Sequence, residues 1–386
     1  MNPQLALEKQ HALHLSSTLD LPSFKYGQGM TLHLPELDFE RAFVELSRAP
    51  AEPLQITADS RVKIRTSAEL DHAFLNLYFQ TLVPLTEHKI IAQHYASLGE
   101  IHALTIPKNQ IIDTPIIIHS RQPSFAAAYH LMVVAEEGSQ ATIIETVESS
   151  PSAHYQSRVV QAYVHAGAQL TYGTVHNRHP STFCFSTQRG AVQQDARLTW
   201  LDIALGGNFT QLNQRTMLQA SGARVQKFAA FLGTGNQLLD INAESIHQAS
   251  HTFSLMKAKG VLAEQSKAVY RGTIKVEKAA VSCVGQQRSE ALLVGEKARC
   301  DAIPVLEVDN DDVTCSHGSS IGQLDEEQLY YLCSRGLDLP AAKKIILTGF
   351  LQSIFQQLPE KNQEHVLEII SQKLSLATEI GTCLAP

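Results

Sequence analysis

The chain has 386 residues, of which 44% are hydrophobic and only 18% charged, with a net charge of −7. That is less charge than the roughly 25% usual in soluble domains, and the acidic balance leaves no basic face for nucleic acid or an anionic membrane. No stretch approaches the ~18 uninterrupted apolar residues of a membrane span, and the first residues mix Glu8 and Lys9 into their apolar positions, unlike a secretory signal, so a cytoplasmic protein is expected.

Residues 1–98 read as an N-terminal mixed helical region. Phe39, Ala42, Phe43 and Leu46, and again Leu70, Ala73, Phe74, Leu77 and Tyr78, have helical spacing, with Pro50 and Pro53 between the two sets. From residue 99 to 318 the texture changes to short β-branched runs such as Ile116 to Ile118, broken by small and polar residues. A small residue followed by alternating polar and apolar positions recurs at Ala141, Ala168, Ala196 and Ala223, in steps of 27, 28 and 27 residues. Similar turns follow at Ala279 with Ala280 and at Ala298. One coil of this length cannot bury both its faces, whereas stacked coils share a core, so the spacing predicts a parallel β-solenoid. An evenly turned β-sandwich is the competing reading.

Residues 319–386 return to helical spacing. Asp325 with Gln328 forms a start signal, Gly336 a stop, and Pro340 opens a helix with a broad apolar face, including Ile345, Ile346, Phe350, Leu351, Ile354 and Phe355, before Pro359. A last helix carries Val366, Ile369, Ile370, Leu374 and Ala377. These helices are expected to cap the open end of the solenoid.

The usual catalytic signatures are absent: no phosphate-binding Gly-Lys-Ser/Thr loop, no GxGxxG, no HExxH and no GxSxG. The six cysteines, Cys184, Cys283, Cys300, Cys315, Cys333 and Cys383, form no Cys-x-x-Cys pair and read as small buried hydrophobes, not disulfides. His176 with His179, and His247 with His251, lack the cysteine or carboxylate company of a metal site and read as polar positions on a solenoid face. One segment stands apart, Val313-Thr314-Cys315-Ser316-His317-Gly318, preceded by acidic residues from Asp309 to Asp312. In an extended chain Cys315 and His317 project to one side. Thiolate and imidazole suit iron, zinc or an iron-sulfur cluster, but two ligands are half of a tetrahedral set, so the rest must come from another chain or the site must be transient.

The run PVLEVDNDDVTCSHGSSIGQLDEEQLYYLCSRGL, Pro304 to Leu337, resembles the signature of the SufB/SufD family of iron-sulfur cluster assembly proteins, with a looser likeness from Ser250 to Ala280. The resemblance implies a mainly β protein: a right-handed parallel β-helix flanked by N-terminal and C-terminal helical regions. It also implies pairing of SufD-type with SufB-type chains through the β-helix and docking of the SufC ATPase on the C-terminal helices, here with Arg335, Gly336, Phe350 and Leu351 as contacts. Two departures side with SufD. Ser289, in SEALLVGEK, holds the place of the SufB cysteine, and His317-Gly318 replaces His-Glu. Phe24-Lys25-Tyr26-Gly27 stands where the family carries a tryptophan-containing motif. The implied role is a scaffold without turnover. His317, helped by Cys315, would be a transient ligand for iron or a nascent cluster at the SufB interface, with nothing tightly bound to the isolated chain, which could pair with a copy of itself. A SufB-like chain holding the cluster alone, and a β-helix polysaccharide lyase or hydrolase, are the alternatives.

Overall fold

Ala168, Ala196 and Ala223 each precede a strand, and those three strands pair in parallel and in register. The computed structural model describes residues 3–22, 37–49 and 54–379. Pro50, Pro53, the Phe24 to Gly27 segment and Cys383 lie outside the described residues, as do the side chains of Leu374 and Ala377. The repeat is one full coil of a parallel β-solenoid with two nine-stranded sheets, each coil giving one strand to each.

Sheet I runs β1 (Gln55–Thr57), β4 (Ile116–Gln122), β6 (Gln140–Ser149), β8 (Gln169–Asn177), β10 (Arg197–Ala204), β12 (Arg224–Gly233), β14 (Phe253–Leu262), β16 (Cys283–Leu293), β18 (Val313–Gln323). Sheet II begins with β2 (Lys63–Thr66), β3 (Ile101–Ile106), β5 (Ala126–Ala135), β7 (Tyr155–Val164) and β9 (Phe183–Val192). It continues through β11 (Phe209–Leu218), β13 (Leu238–His247), β15 (Lys267–Val276) and β17 (Arg299–Val308). Only β1 and β2 pair antiparallel, closing the first coil. This order excludes the β-sandwich. One register differs from expectation. Ala141 pairs with Leu170, and Gln140 with Gln169, so Ser139, not Ala141, is the counterpart of Ala168. Ala298 turns into β17 of the opposite sheet, half a coil on, which explains its early arrival.

Alternation within the strands builds the interior. Leu170, Leu198 and Val225 stack in register with one another, and Tyr172 stacks on Trp200, all buried between the sheets. His176 and His247 are buried as well, not surface polar positions. His176 bonds Asp202 and Arg178, and His247 bonds Thr252 and Ser254, so hydrogen bonds satisfy both rings. The outer face of sheet II is covered by α1 (Pro3–Thr18), α2 (Phe39–Arg48), α3 (His72–Tyr78) and α4 (Lys89–Ala96), through residues such as Phe43, Leu75 and Tyr95. Both predicted N-terminal helices are present as α2 and α3.

The C-terminal region forms α5 (Glu326–Ser334), α6 (Leu339–Phe355) and α7 (Glu360–Glu379). Asp325 caps α5 by accepting from the backbone N–H groups of Glu327 and Gln328, and Gly336, with φ +98°, ends the turn after it. The expected cap over the open end is not what these helices form. They lie along the outer face of sheet I, where Val175, Leu201, Ile203 and Phe228 meet Leu347, Leu351, Ile354 and Phe355. An apolar stripe on that face outcompetes the strand edge as a docking surface. Consequently β17 and β18 each have one neighbouring strand among the described residues. Cys184, Cys283 and Cys300 are buried, Cys315 and Cys333 partly so, and all five are free.

Candidate functional site

The thiol-imidazole segment forms the start of β18, the last strand of sheet I. Its alternation is fixed by β16: Cys315 and His317 stand opposite Gly285 and Gln287, while Thr314 and Ser316 stand opposite Val284 and Gln286. On β16 the residues Gly285, Gln287 and Ser289 are buried and Gln286 and Arg288 exposed, so Cys315 and His317 occupy the inward row at the open end. Ser289 stands opposite Ser319 in the same row. Ser289, singled out by the resemblance, therefore lies one strand away from the strand that carries His317. An open groove is lined mainly by residues of the outward row, Lys257, Gln286, Arg288 and Ser316 among them, together with Gln287 and His317.

Cys315 is half-buried, and a Cβ on Gly285 would lie 3.3 Å from its Sγ, so the glycine makes room for the thiol. Burial pushes the Cys315 pKa up, against a backbone hydrogen bond from Gly285 that favours the thiolate. The group is a thiol at neutral pH, and a metal that binds it must displace the proton. His317 is exposed, and no atom lies within 4 Å of where a Cβ on Gly318 would be. Among the described residues no group of three or more His, Cys, Asp or Glu side chains could hold a metal ion. Cys315 and His317 place one thiol and one imidazole in the same row, two donors where a tetrahedral metal site needs four. The preceding acidic turn does not complete it: Asp312 accepts from Ser282, and Asn310 donates to the Lys278 carbonyl.

The C-terminal residues singled out in the sequence have different surroundings. Arg335 caps α5 and places its guanidinium 5.1 Å from the Tyr331 ring centre. Gly336 is exposed beside it. The carbonyl of Phe350 accepts from Lys259, whose ammonium sits 4.6 Å from the Phe350 ring centre. Leu351 is a correction: at 0% exposure it is packed against sheet I and presents no surface to a partner. Sequence reasoning singled out neither Tyr330 nor Tyr331, which are exposed at 78% and 56%, and Ile345 of the expected apolar face is exposed at 51%. On sheet II the acids Asp240, Glu244 and Glu307 are paired with Arg271, Arg215 and Lys275.

The fold defines a class: a parallel β-solenoid with flanking helices, with a thiol and an imidazole on the last strand of one sheet. The family model for the SUF system FeS cluster assembly SufBD core domain matches residues 116–350, and the chain belongs to that family. It is 29% identical to the iron-sulfur cluster assembly protein SufD of Bacillus subtilis over 81% of this chain and 73% of that one. It is also 29% identical to iron-sulfur cluster assembly SufBD family proteins of Staphylococcus saprophyticus and Staphylococcus epidermidis, covering 79% and 73% of this chain. The chain spans 65% and 62% of the length of those two relatives. This is an iron-sulfur cluster assembly protein of the SufB/SufD family, on its SufD side. Among the described residues no helix is long and apolar enough to cross a membrane.

Proposed function

We propose that the chain is a cytoplasmic, non-catalytic scaffold subunit that pairs with SufB through the open end of its solenoid and docks the SufC ATPase on its C-terminal helices. In this reading His317, assisted by Cys315, offers ligands to iron or a nascent cluster, which is cargo and not a resident cofactor. The observation that supports the reading is the coincidence of the Cys315 and His317 pair with a strand that has one open edge: both lie on β18, paired with β16 at the edge of sheet I. That edge exposes backbone groups able to pair with another strand. Leu306, Val308, Val313 and Ile321 leave the interior partly open beside it. Tyr330, Tyr331 and Ile345 supply an aromatic and apolar surface for the ATPase. Only neutral imidazole ligates a metal, so iron capture weakens on acidification.

The test is co-purification with SufB and SufC, followed by iron and sulfide analysis of wild type and His317→Ala. The substituted complex should assemble normally and lose cluster formation by roughly tenfold or more. Normal cluster formation by His317→Ala overturns the ligand role. Failure of SufB to bind, with the isolated chain remaining a stable dimer, assigns the open end to a second copy instead.

A further inference from the structure

Gln287 stands directly opposite His317 in the inward row and is only 6% exposed. Its Nε2 donates to the backbone carbonyl of Val305 at 3.4 Å, which fixes the way round the amide lies, because a carbonyl only accepts. Its Oε1 is buried and accepts no hydrogen bond. Space for that oxygen is made across the interior by Gly272, where a Cβ would lie 2.0 Å from Oε1. A buried carbonyl oxygen without a donor is costly and uncommon, and asks for an explanation. On the closed side the in-register neighbour of Gln287 is Met256, which has no donor in its side chain. On the open side it is His317. Neighbouring strands are about 4.8 Å apart, so of the two in-row neighbours of Gln287 the one that carries a side-chain donor is His317.

We propose that Gln287 is the positioning residue of the site: its Oε1 accepts the proton-bearing ring nitrogen of His317, fixes the tautomer, and leaves the other nitrogen's lone pair free for iron or a cluster. The inference rests on the reading of His317 as a ligand. Histidines that bind metals nearly always donate their second ring N–H to a carboxylate, carbonyl or water, which orients the ring and raises its basicity. Gln287 supplies such a carbonyl in advance, held by Val305 on one side and admitted by Gly272 on the other.

The experiment uses the full chain with ¹⁵N-labelled histidine, the His317 ring signals being assigned by comparison with His317→Ala. At pH 8 the wild type should show one dominant neutral tautomer. Gln287→Leu should show a mixture close to that of free histidine, and Gln287→Glu, which keeps an acceptor, should restore one tautomer. Gln287→Met, whose thioether is only a weak acceptor, is a second variant, so a folding defect peculiar to one side chain does not decide the result. In the assembled complex Gln287→Leu should weaken ferrous-iron capture roughly tenfold, with Gln287→Glu recovering it. Equal tautomer ratios in wild type, Gln287→Leu and Gln287→Met overturn the positioning role and assign Oε1 to water. If His317→Ala leaves cluster formation intact, the ligand reading falls, while the tautomer ratios still decide the hydrogen bond.

Discussion

Mild acid should unfold this protein, because several of its histidines are locked inside as neutral rings. His94 of α4 bonds Ser157 through Nδ1 at 2.9 Å and His130 through Nε2 at 3.2 Å, joining that helix to sheet II. Burial lowers the His94 pKa to about 3. Burial, with Arg178 beside it and Asp202 opposing, lowers that of His176 to about 4, and burial lowers His247 to about 4. The His130 pKa is lowered as well, by burial first and by His94 second. Above the unfolded value of about 6.5 these rings are neutral in both states and add no pH dependence. Below it the unfolded chain takes up protons that the folded chain refuses, so stability falls until the folded pKa is reached.

At pH 5, about 1.5 units below the unfolded value and above all three folded values, each ring costs about 2 kcal/mol. Three such rings remove ~6 kcal/mol, comparable with the 5–15 kcal/mol by which a typical domain is stable. Urea denaturation at pH 7.5, 6.5, 5.5 and 5 reads this directly, and His94→Gln or His247→Asn should each flatten the slope by about one proton. A stability constant to about 1 kcal/mol between pH 7 and 5 would refute the reasoning, since neutral burial of these rings then has no thermodynamic consequence.

The remaining expectations concern single side chains. Lys227 is buried between the sheets, donates to the Glu244 carbonyl, and has its pKa lowered to about 7 by burial. Lys227→Met should therefore stabilise by about 4 kcal/mol at pH 7 and by less than about 1 at pH 10, and denaturation showing equal gains at both would contradict that account. Leu351→Ala should cost about 2–5 kcal/mol of stability. Tyr331→Ala should leave stability within about 0.5 kcal/mol while weakening capture of the ATPase, and the reverse pattern in melting and pull-down would exchange their roles. A Cβ on Gly206 would lie 2.2 Å from the backbone oxygen of Arg178, so Gly206→Ala should cost roughly 1–3 kcal/mol. Gly318→Ala faces open space and should be neutral to about 0.5 kcal/mol in the same denaturation assay.

The coil was legible because its turn tolerates little besides a small side chain: Ala168, Ala196 and Ala223 are fully buried in one column. Ala141 misled because it begins an alternation of the same kind two positions later in register. Helix α4 left no sequence signal because Ile90 through Tyr95 are all buried, and a helix enclosed on every side has no polar face to reveal its period. In α6 the apolar stripe was visible but its orientation was not: Ile345 faces solvent while Leu351 faces the sheet, and only the partner surface on sheet I decides between them. The pairing of Cys315 with His317 needed only the two-residue period of a strand. Gln287 lies 30 residues earlier and meets His317 only through the coil register, which sequence spacing alone does not supply.

Three features coincide at the end of the solenoid among the described residues: the backbone of β18 has one neighbour, Cys315 and His317 on it, the ligand pair of the proposed function, have no third such donor grouped with them, and the apolar interior is partly open beside it. A helix laid over the end would cover the interior but leave the ladder and the ligand pair unfinished. A strand added to the edge of β18 answers all three together, because its inward residues extend the rows that contain Cys315 and His317. Neighbouring strands are about 4.8 Å apart, so two ligands spaced two residues apart on the added strand would face Cys315 and His317 across a gap one metal ion or small cluster can bridge. The partner is then specified by chemistry as well as shape: an edge strand with soft or imidazole ligands in alternate positions, whose own solenoid can continue this one. On the proposed ligand role, a partner that docked only on the C-terminal helices would leave Cys315 and His317 as two donors of four, so the open end, and not the helical surface, is where that role is to be tested.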